Sequence, residues 1–441
     1  MYKIGMISLG CPKNQVDAER MLALLDKNDF MIADCYDGVD AVIINTCGFI
    51  DDAKREAIEN ILDMAQLKEE GIVKKIIVTG CLAQRHQEEI FSEIPEVDAV
   101  IGIGANGDIA DIVKRVIEGE KAYDMPDNSK LPLVGERLLT TPEYWSYLKI
   151  ADGCSNRCTY CAIPSIRGDF RSVEFETLVD EAKALADAGT KELILIAQDT
   201  TSYGIDLYGK LRLPELLDAL CEIDGIEWIR LLYCYPDKIT DELLETMARQ
   251  PKVLHYIDLP LQHADDKILK AMNRRGDNAY LRNTIARIRE AMPDAVIRTT
   301  FIIGFPGEGE EEFETLAEFV NEVEFDRLGC FSYSPQEGTP SFDFEDQVDD
   351  ETKLRRGEII MDDQIDIVNV KNHERIGKIY TVLVEDYDGY SDSYSGRTYM
   401  DAPEIDGKIM FTTENSYKNG DFVQVEVIGM NEYDLIGKDI S

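Results

Sequence analysis

Residues 152–168 read DGCSNRCTYCAIPSIRG and directly follow the apolar run WSYLKIA at residues 145–151. The cysteines of this stretch are Cys154, Cys158 and Cys161. Three thiolates so close in the chain can reach one metal centre but leave its fourth coordination position unfilled, whereas structural zinc sites are closed by a fourth ligand. A 4Fe-4S cubane held by three cysteines keeps one iron open for a substrate or cofactor. The spacing favours such a cluster, and the alternative is a zinc knuckle or unrelated thiols.

The chain around this stretch alternates strand and helix patterns from about residue 143 to about residue 334. Six apolar runs predict strands: WSYLKIA, ELILIAQ, WIRLLY, YIDLPLQ, VIRTTFIIG and DRLGCFSYS. Helical patterns lie between them, and a long helix is expected at about 350–373. Six strand–helix units predict an incomplete (β/α)6 barrel with parallel strands. The three cysteines follow the first strand of this barrel.

The first 120 residues carry a second, dispersed set of cysteines. Short apolar runs (YKIGMISL, DAVIINT, KKIIVTG and DAVIGI) alternate with helical patterns, which predicts a parallel α/β sheet. Cys11, Cys47 and Cys81 come just after the first three runs, and a glycine flanks each of them (Gly10, Gly48 and Gly80). Because parallel strands end at one edge of a sheet, where ligands usually bind, we expect these thiols to converge. The alternative is three buried cysteines that act as small hydrophobic residues.

The remaining segments complete the predicted domain organisation. Residues 121–142 contain Pro, Gly and polar residues without periodicity and are interpreted as a linker. After residue 376, short strands such as KIYTVLVED, GRTYMDAPE, IMFTTE and FVQVEVIGM predict a small antiparallel β-barrel. The fold class is therefore α/β. Its expected domains are an N-terminal parallel-sheet domain at 1–120, a central partial barrel at 143–375 and a C-terminal barrel at 376–441.

Composition limits the classes of function. Lys and Arg number 46 against 86 Asp and Glu, a formal charge of −40, and the isoelectric point is near 4.4. This balance disfavours a surface built mainly to hold nucleic acid. The N-terminus reads as a strand and not as a signal peptide, and no apolar run approaches a membrane span, so a cytosolic location is expected. Ten cysteines in such a chain favour metal or redox chemistry over disulfides.

Both cysteine sets together resemble the radical S-adenosylmethionine methylthiotransferase family. SLGCPKN, INTCGFI and VTGCLAQ resemble its N-terminal domain, DGCSNRCTYCAIPSIRG its radical domain, and the C-terminal barrel its TRAM module. The resemblance implies that Cys154, Cys158 and Cys161 hold a 4Fe-4S cluster that binds and cleaves S-adenosylmethionine. It implies that Cys11, Cys47 and Cys81 hold an auxiliary 4Fe-4S cluster that donates or carries sulfur. The product would be a CH₃–S group on an unactivated carbon.

The family divides by substrate. One branch modifies adenosine in transfer RNA, and another modifies the β-carbon of an aspartate in small-subunit ribosomal protein twelve. The strings CTYCAIPSIRG, DLPLQHADDKILKAMNR and GRTYMDAPEIDG are similar to the ribosomal-protein branch. From residue 376 to 441 there are five Lys or Arg and thirteen Asp or Glu, a net charge of −8, which should attract a basic protein and repel phosphate.

The expected partners follow from this branch. They are a basic small-subunit ribosomal protein, free or in the ribosome, and an electron donor such as flavodoxin or ferredoxin, with no membrane involved. Two rival functions stay open. One is transfer RNA methylthiolation, and the other is a non-catalytic iron–sulfur or zinc module that assembles on ribosomes.

The resemblance also suggests residues that bind S-adenosylmethionine. Gln198 and Asp199 follow the strand ELILIAQ, where the superfamily often contacts the methionine amino group. Gly304 and Gly307 lie in IIGFPGE, which resembles the adenosine-contact segment. The alternative for this segment is a strand-to-helix turn followed by helix-starting acids.

Other polar residues near the predicted site have two readings each. His263, after Gln262 at the end of YIDLPLQ, is either a general acid–base or a structural polar contact. Arg167 and Arg171 either meet a substrate or cofactor carboxylate or form ordinary surface pairs.

Two further patterns are interpreted as structural. Gly102-x-Gly104-x-x-Gly107 fits a dinucleotide fingerprint, but it follows the fourth strand of its unit and reads better as a loop that starts a helix. The four remaining cysteines lie in or beside apolar runs and are predicted to be core residues: Cys35, Cys221, Cys234 and Cys330.

Overall fold

A six-stranded parallel sheet forms the N-terminal part of the computed structural model, which describes residues 1–35 and 37–441. Its strands are β1 (Lys3–Ser8), β2 (Met31–Ile32), β3 (Ala41–Thr46), β4 (Ile76–Gly80), β5 (Ala99–Ile101) and β6 (Ala122–Asp124). The helices are α1 (Pro12–Lys27), α2 (Asp51–Glu69), α3 (Cys81–Arg85), α4 (Gln87–Glu93) and α5 (Ile109–Ile117). The strand order is β2-β1-β3-β4-β5-β6. β3 and β4 are buried at every residue, as expected for parallel strands that are covered on both faces.

Two strands of this sheet were not predicted. β2 has only two residues, too few to show a period in the sequence. β6 lies at the start of the segment interpreted as a linker and pairs with β5, so the sheet extends to Asp124. The glycine pattern that follows β5 starts a short 3-10 helix at Ile103–Asp108 and then α5, which agrees with the structural reading.

The central part contains six parallel strands in an open sheet, which confirms the predicted partial barrel. The strands are β7 (Trp145–Lys149), β10 (Glu192–Ile196), β11 (Trp228–Leu231), β12 (Val253–Asp258), β13 (Val296–Ile303) and β14 (Arg327–Ser332), in sequential order across the sheet. The short strands β8 (Ala151–Asp152) and β9 (Arg171–Ser172) form an antiparallel pair beside them. The open edge at β7 lies towards the N-terminal domain, because α1 packs against β7.

Nine helices accompany this sheet in the described chain. They are α6 (Ile163–Arg167), α7 (Phe175–Asp187), α8 (Ile205–Tyr208), α9 (Leu213–Cys221), α10 (Asp241–Arg249), α11 (Asp266–Ala271), α12 (Asn278–Ala291), α13 (Glu310–Val323) and α14 (Asp350–Arg375). α14 is the predicted long helix and has 26 residues. Across residues 1–35 and 37–441, no helix combines the length and the apolar character that crossing a membrane requires.

The C-terminal barrel is closed by five strands, β15 (Ile379–Asp388), β16 (Ser393–Arg397), β17 (Ile409–Thr412), β18 (Phe422–Asn431) and β19 (Asp434–Asp439). The expectation of a purely antiparallel barrel is wrong in one place, because β17 and β19 pair in parallel. The predicted strand GRTYMDAPE is also corrected, since β16 ends at Arg397 and residues 398–404 form a loop.

Two apolar layers hold the central sheet in place. One face packs against its helices in a core that includes Leu148, Leu193 and Ile229. The other face carries Tyr147, Ile194 and similar residues, and it shares a core with the interior of the C-terminal barrel. The barrel is therefore fixed against the central domain by continuous hydrophobic packing.

Candidate active site

The cysteines of residues 152–168 lie in a turn that follows β7 and β8. The Cys154 N–H donates to the Gly168 carbonyl oxygen at 3.1 Å, and the Cys161 N–H donates to the Cys158 carbonyl oxygen at 3.1 Å. The first bond closes the segment that includes α6, and the second forms a tight turn just before α6. The spacing in the sequence thus becomes one compact group of three thiols, which we call the loop thiols.

Cys158 is the buried member of the loop thiols. Its Sγ lies 3.2 Å from the Tyr235 hydroxyl oxygen and 3.9 Å from Nη1 of Arg274. The Arg274 guanidinium also stacks over the Tyr235 ring, 3.9 Å from its centroid. A guanidinium at this distance stabilises negative charge on the sulfur.

The loop thiols need a positive centre in order to ionise together. Burial raises the pKa of the Cys154 and Cys161 thiols, and the neighbouring Cys158 thiolate raises both further. Bound iron supplies the opposing charge, because coordination deprotonates a thiol. The loop thiols therefore fit a cluster bound through three cysteines.

The three N-terminal cysteines meet at one edge of the first sheet, and we call them the edge thiols. Cys11 follows β1 and precedes α1, Cys47 follows β3 directly, and Cys81 begins α3 directly after β4. A Cβ atom on Gly10 would lie 2.5 Å from Cβ and 2.7 Å from Sγ of Cys47. Glycine at position 10 thus permits the approach of two of these cysteines.

The edge thiols differ in their electrostatic surroundings. Burial alone would raise the pKa of the Cys11 thiol, but the Lys13 ammonium, the Arg167 guanidinium and backbone N–H groups at the start of α1 outweigh it, so this pKa is lowered. Burial raises the pKa of Cys47, and it raises the pKa of Cys81 to about 12. Cationic groups and a helix N-terminus favour thiolates and anionic clusters.

Arg167 connects the edge thiols with the loop thiols. Its Nη1 donates to Asp17 and Asp152 at 2.8 Å each, and its Nη2 lies 3.7 Å from Sγ of Cys81. Cys81 also packs against residues of the loop and helix that follow Cys161. The two cysteine groups therefore face each other across the boundary between the N-terminal and central domains.

Single metal ions are a poor match for this geometry. Over residues 1–35 and 37–441, no three His, Cys, Asp or Glu side chains are placed to hold one ion. A cubane binds each cysteine at a different iron, so its ligands lie farther apart than those of a mononuclear site.

Comparison with known proteins assigns the chain. Family models match the Uncharacterized protein family UPF0004 over residues 3–102, the Radical SAM superfamily over 148–320 and the TRAM domain over 376–440. The Ribosomal protein uS12 methylthiotransferase RimO of Lachnoclostridium phytofermentans is 49% identical over 99% of this chain and 99% of its own length. The protein of the same name from Acetivibrio thermocellus is 48% identical over 100% of this chain and 98% of its own. The chain belongs to the RimO family.

Membership defines the enzyme class. The chain is an S-adenosylmethionine-dependent methylthiotransferase of the radical SAM superfamily, and its cofactors are S-adenosylmethionine and 4Fe-4S clusters. Among solved structures, the radical S-adenosylmethionine methyltransferase TsrM from Kitasatospora setae matches with a TM-score of 0.56 and 13% identity over 77% of each chain. At that identity the match supports the fold alone.

The residues expected to bind S-adenosylmethionine have the following surroundings in this RimO-family chain. Gln198 donates to Asp152 at 3.4 Å, and its buried Oε1 has no partner within the described residues. Asp199 accepts hydrogen bonds from Asn156 at 2.7 Å and Lys238 at 2.6 Å, which ties it to the turn of the loop thiols. Their role as cofactor ligands stays a prediction.

Gly304 and Gly307 both have positive φ values, +71° and +87°. A Cβ atom on Gly304 would strike the Lys353 side chain of α14, so this glycine lets the helix pack closely. A Cβ atom on Gly307 would meet no atom within 4 Å. The adenosine-contact role of the two glycines stays a prediction.

The structural reading of His263 agrees with its contacts. This residue is fully buried, its Nε2 lies 3.2 Å from Glu308, and its Nδ1 accepts the Asp265 N–H at 3.0 Å. Glu308 in turn accepts from Arg356 of α14 at 2.9 Å. Gln262, which directly precedes His263, has a φ of +74° and forms a backbone β-bridge with Phe301. The histidine therefore holds α14 to the sheet, with both ring nitrogens engaged.

The carboxylate-binding alternative for Arg167 and Arg171 is corrected. Arg167 is 1% exposed and already paired with two aspartates of the chain, while Arg171 donates to the Ser129 and Asn128 carbonyl oxygens. The pairing of Arg167 with Asp17 joins residues 150 positions apart, so the sequence could not reveal it.

The string GRTYMDAPEIDG docks the barrel onto the central domain. Asp401 accepts from Arg327 at 2.6 Å, Asp406 accepts from Tyr256 at 2.6 Å, and both carboxylates are buried. These two aspartates are counted in the net charge of −8 for residues 376–441, but they do not contribute to an exposed acidic surface. Their negative charges are neutralised inside the molecule.

The predicted core cysteines agree with the structure except at one position. Cys221 and Cys234 are buried and Cys330 is half-buried. Cys35 is exposed, because it lies in the connection that follows β2 and not within an element.

Sequence reasoning missed Tyr233, Tyr235, Arg274 and Lys13, which surround the cysteines. A detectable signal existed for two of them, since Tyr233 ends the predicted strand WIRLLY and Tyr235 follows it by two residues, at the functional edge of the sheet.

Proposed function

We propose that this chain adds a methylthio group to the β-carbon of an aspartate in ribosomal protein uS12. The names of its full-length relatives support this substrate. The position on the aspartate is supported by the resemblance of the branch motifs in the sequence.

We assign the cofactors to the two cysteine groups. The loop thiols, Cys154, Cys158 and Cys161, hold the cluster at which S-adenosylmethionine binds, and the edge thiols, Cys11, Cys47 and Cys81, hold the auxiliary cluster. When bound, these groups supply a methyl group, a sulfur atom and a radical that removes hydrogen from carbon. The chain orients them through the turn of residues 152–168 and the glycines beside the edge thiols.

The observation that carries the proposal is the contact between Cys81 and the segment that directly follows the loop thiols. The link from Arg167 to Cys81, together with the packing of Cys81 on the segment after Cys161, places both groups at one domain boundary. A reaction that takes hydrogen at one centre and delivers sulfur from another needs that proximity.

Charge favours a protein substrate over transfer RNA. The segment 376–441 keeps a net charge of −8, and exposed acids of its β15–β16 hairpin include Asp386, Asp388 and Asp392. Such a surface repels phosphate and attracts a basic ribosomal protein. Because that partner is ribosomal, we also place the enzyme in the cytoplasm. We propose flavodoxin or ferredoxin as its electron donor.

The test uses the anaerobically reconstituted full-length enzyme with S-adenosylmethionine and a chemical reductant. Purified uS12 and total transfer RNA are offered separately to the same preparation, and mass spectrometry locates the product. We expect one SCH₃ group in place of one hydrogen on a single aspartate of uS12. Modification of transfer RNA alone would contradict the proposed substrate.

A further inference from the structure

Lys13 carries a buried ammonium that the chain leaves without a carboxylate partner. The residue is 6% exposed. Within residues 1–35 and 37–441, its Nζ forms no ion pair and no hydrogen bond. Its nearest feature is the Tyr233 ring, whose centroid lies 3.2 Å from Nζ. Buried charges are normally paired, so an unpaired one indicates a missing partner.

The position of this ammonium is between the two cysteine groups. Lys13 follows Cys11 by two residues and reaches from the N-terminal domain over Tyr233, at the carboxyl end of β11. Two residues further along, the hydroxyl of Tyr235 contacts Sγ of Cys158. A single tripeptide, residues 233–235, therefore joins the ammonium of Lys13 to the loop thiols.

The local structure does not explain a lysine at this place. Lys13 lies in the first turn of α1, where the helix dipole disfavours a cation, and that turn contains no acidic residue. The ammonium thus faces two unfavourable effects, burial and the dipole, and no carboxylate of the described residues lies within ion-pair distance to offset them. An anion bound beside it would remove both.

The other cations around the site already have partners. Arg167 and Lys149 share Asp17 and Asp152, Arg298 pairs with Asp258, and Lys238 pairs with Asp199. Arg274 has no carboxylate partner in the described residues either, but it donates to the Pro260 carbonyl oxygen at 2.6 Å and stacks over the Tyr235 ring. Lys13 is therefore the cation beside the cysteine groups, within the described residues, that forms neither an ion pair nor a hydrogen bond.

We propose that Lys13 binds the side-chain carboxylate of the substrate aspartate. The inference rests on the proposed function and adds to it the residue that recognises the reacting side chain. In aspartate the carboxylate is bonded directly to the β-carbon, so a salt bridge to the carboxylate fixes the reacting carbon one bond away. The Tyr233 ring limits where that carboxylate can lie, and the carbon is held between the loop thiols and the edge thiols.

The test compares Lys13→Met with two controls. Lys27→Met makes the same substitution at the end of the same helix, at a side chain that is about half exposed, and Lys13→Arg keeps the charge. Each protein is titrated with wild-type uS12 and with uS12 whose target aspartate is replaced by asparagine, in the absence of reductant. Iron content is measured on the same preparations, and the electron paramagnetic resonance spectra of both clusters and 5′-deoxyadenosine formation are measured on separate aliquots to which a chemical reductant is added.

We expect the wild-type enzyme, Lys13→Arg and Lys27→Met to bind the aspartate form roughly ten- to hundredfold more tightly than the asparagine form, as for a charged hydrogen bond. Lys13→Met should lose that preference while it still holds iron at both cysteine groups.

Three results would overturn the inference, and they are distinguishable. A preserved aspartate preference in Lys13→Met shows that another group binds the carboxylate. Loss of iron or a changed spectrum of the auxiliary cluster in Lys13→Met shows that the ammonium serves Cys11. Failure of the wild-type enzyme to modify uS12 at all rejects the proposed function, and this inference with it.

Discussion

Gly10 allows the edge thiols to approach one another, and its conformation can be tested at the scale of one residue. It has a φ of +86°, and a methyl group there would lie 2.5 Å from Cβ of Cys47. We expect Gly10→Ala to displace Cys47 and to lower the iron content at the edge thiols, while 5′-deoxyadenosine formation at the loop thiols continues.

Gly38→Ala is the matched control for this change. Gly38 also has a positive φ, +70°, but a Cβ atom there would meet no atom of residues 1–35 or 37–441 within 4 Å. The Gly38→Ala variant introduces backbone strain without a collision, so its iron content shows how much of the effect of Gly10→Ala comes from the collision with Cys47. Equal iron loss in both variants would show that strain alone disturbs the domain.

Arg167 gives a second prediction at this scale. Replacement by Met leaves the buried carboxylates of Asp17 and Asp152 with Lys149 as their remaining cation, and we expect a loss of stability of about 3–5 kcal/mol. Arg171→Met removes only bonds to carbonyl oxygens at a half-buried side chain and should cost about 1 kcal/mol. Denaturant unfolding of the two variants under anaerobic conditions compares them, and similar midpoints would contradict the central role of Arg167.

The six cysteines could be recognised as candidate cluster ligands from the sequence, but the buried residues that surround them could not. The six cysteines have spacings and strand-end positions that are visible in one dimension. Arg167 and Lys13 acquire their roles from contacts with Asp17 and Tyr233 across a domain boundary, and no local pattern encodes such contacts.

At the scale of elements, the end of β16 fixes the barrel through buried ion pairs. Glu192 of β10 accepts from Arg230 at 2.7 Å and from Arg397 at 2.7 Å. Burial alone would raise the pKa of Glu192, but Arg397 and Arg230 outweigh it and hold this pKa below its usual range. The folded state therefore binds the proton less readily than the unfolded state.

The sign of this shift predicts the pH dependence of barrel docking. The ionised Glu192 stabilises the folded protein fully above the pKa of about 4.3 that a glutamate has in the unfolded state. This stabilisation is lost as the pH falls towards the lower pKa that Glu192 has in the folded state. We expect Glu192→Gln to be less stable than the wild type at neutral pH and to lose less stability on acidification. Thermal melting across pH 3 to 7 compares the two proteins. The raised pKa of Asp406 acts in the opposite direction but is common to both. Parallel pH curves would show that Glu192 does not anchor the barrel.

The length of an element decided whether the sequence could predict it. Buried runs such as those of β3, β4 and β10 were found because parallel strands covered on both faces read as continuous apolar segments. β2 and β6 have two and three residues and contain no period. Residues 398–404 resemble a strand in the sequence because they include apolar residues. In the structure these apolar residues pack against the central domain and do not pair in the barrel.

At the scale of the whole molecule, the distribution of charge predicts how the substrate approaches. The exposed acids at the tip of the β15–β16 hairpin are the ones to reverse, since Asp401 and Asp406 are paired internally. We expect replacement of Asp386, Asp388 and Asp392 by Lys to weaken uS12 binding severalfold at low salt. Screening beyond a Debye length of about 8 Å at physiological salt should reduce the difference. Binding measured at low and high salt checks this, and an affinity for uS12 that is unchanged at both would contradict it.

The central claim is that two facing clusters, one at each cysteine group, act together on uS12. The most direct measurement incubates uS12 with the wild type, with Cys11, Cys47 and Cys81 all replaced by Ala, and with Cys154, Cys158 and Cys161 all replaced by Ala. Methylthio-uS12 and 5′-deoxyadenosine are quantified in the same reaction. We predict both products from the wild type, only 5′-deoxyadenosine from the first variant and neither from the second. Methylthiolation of uS12 by the variant without the edge thiols would contradict the account.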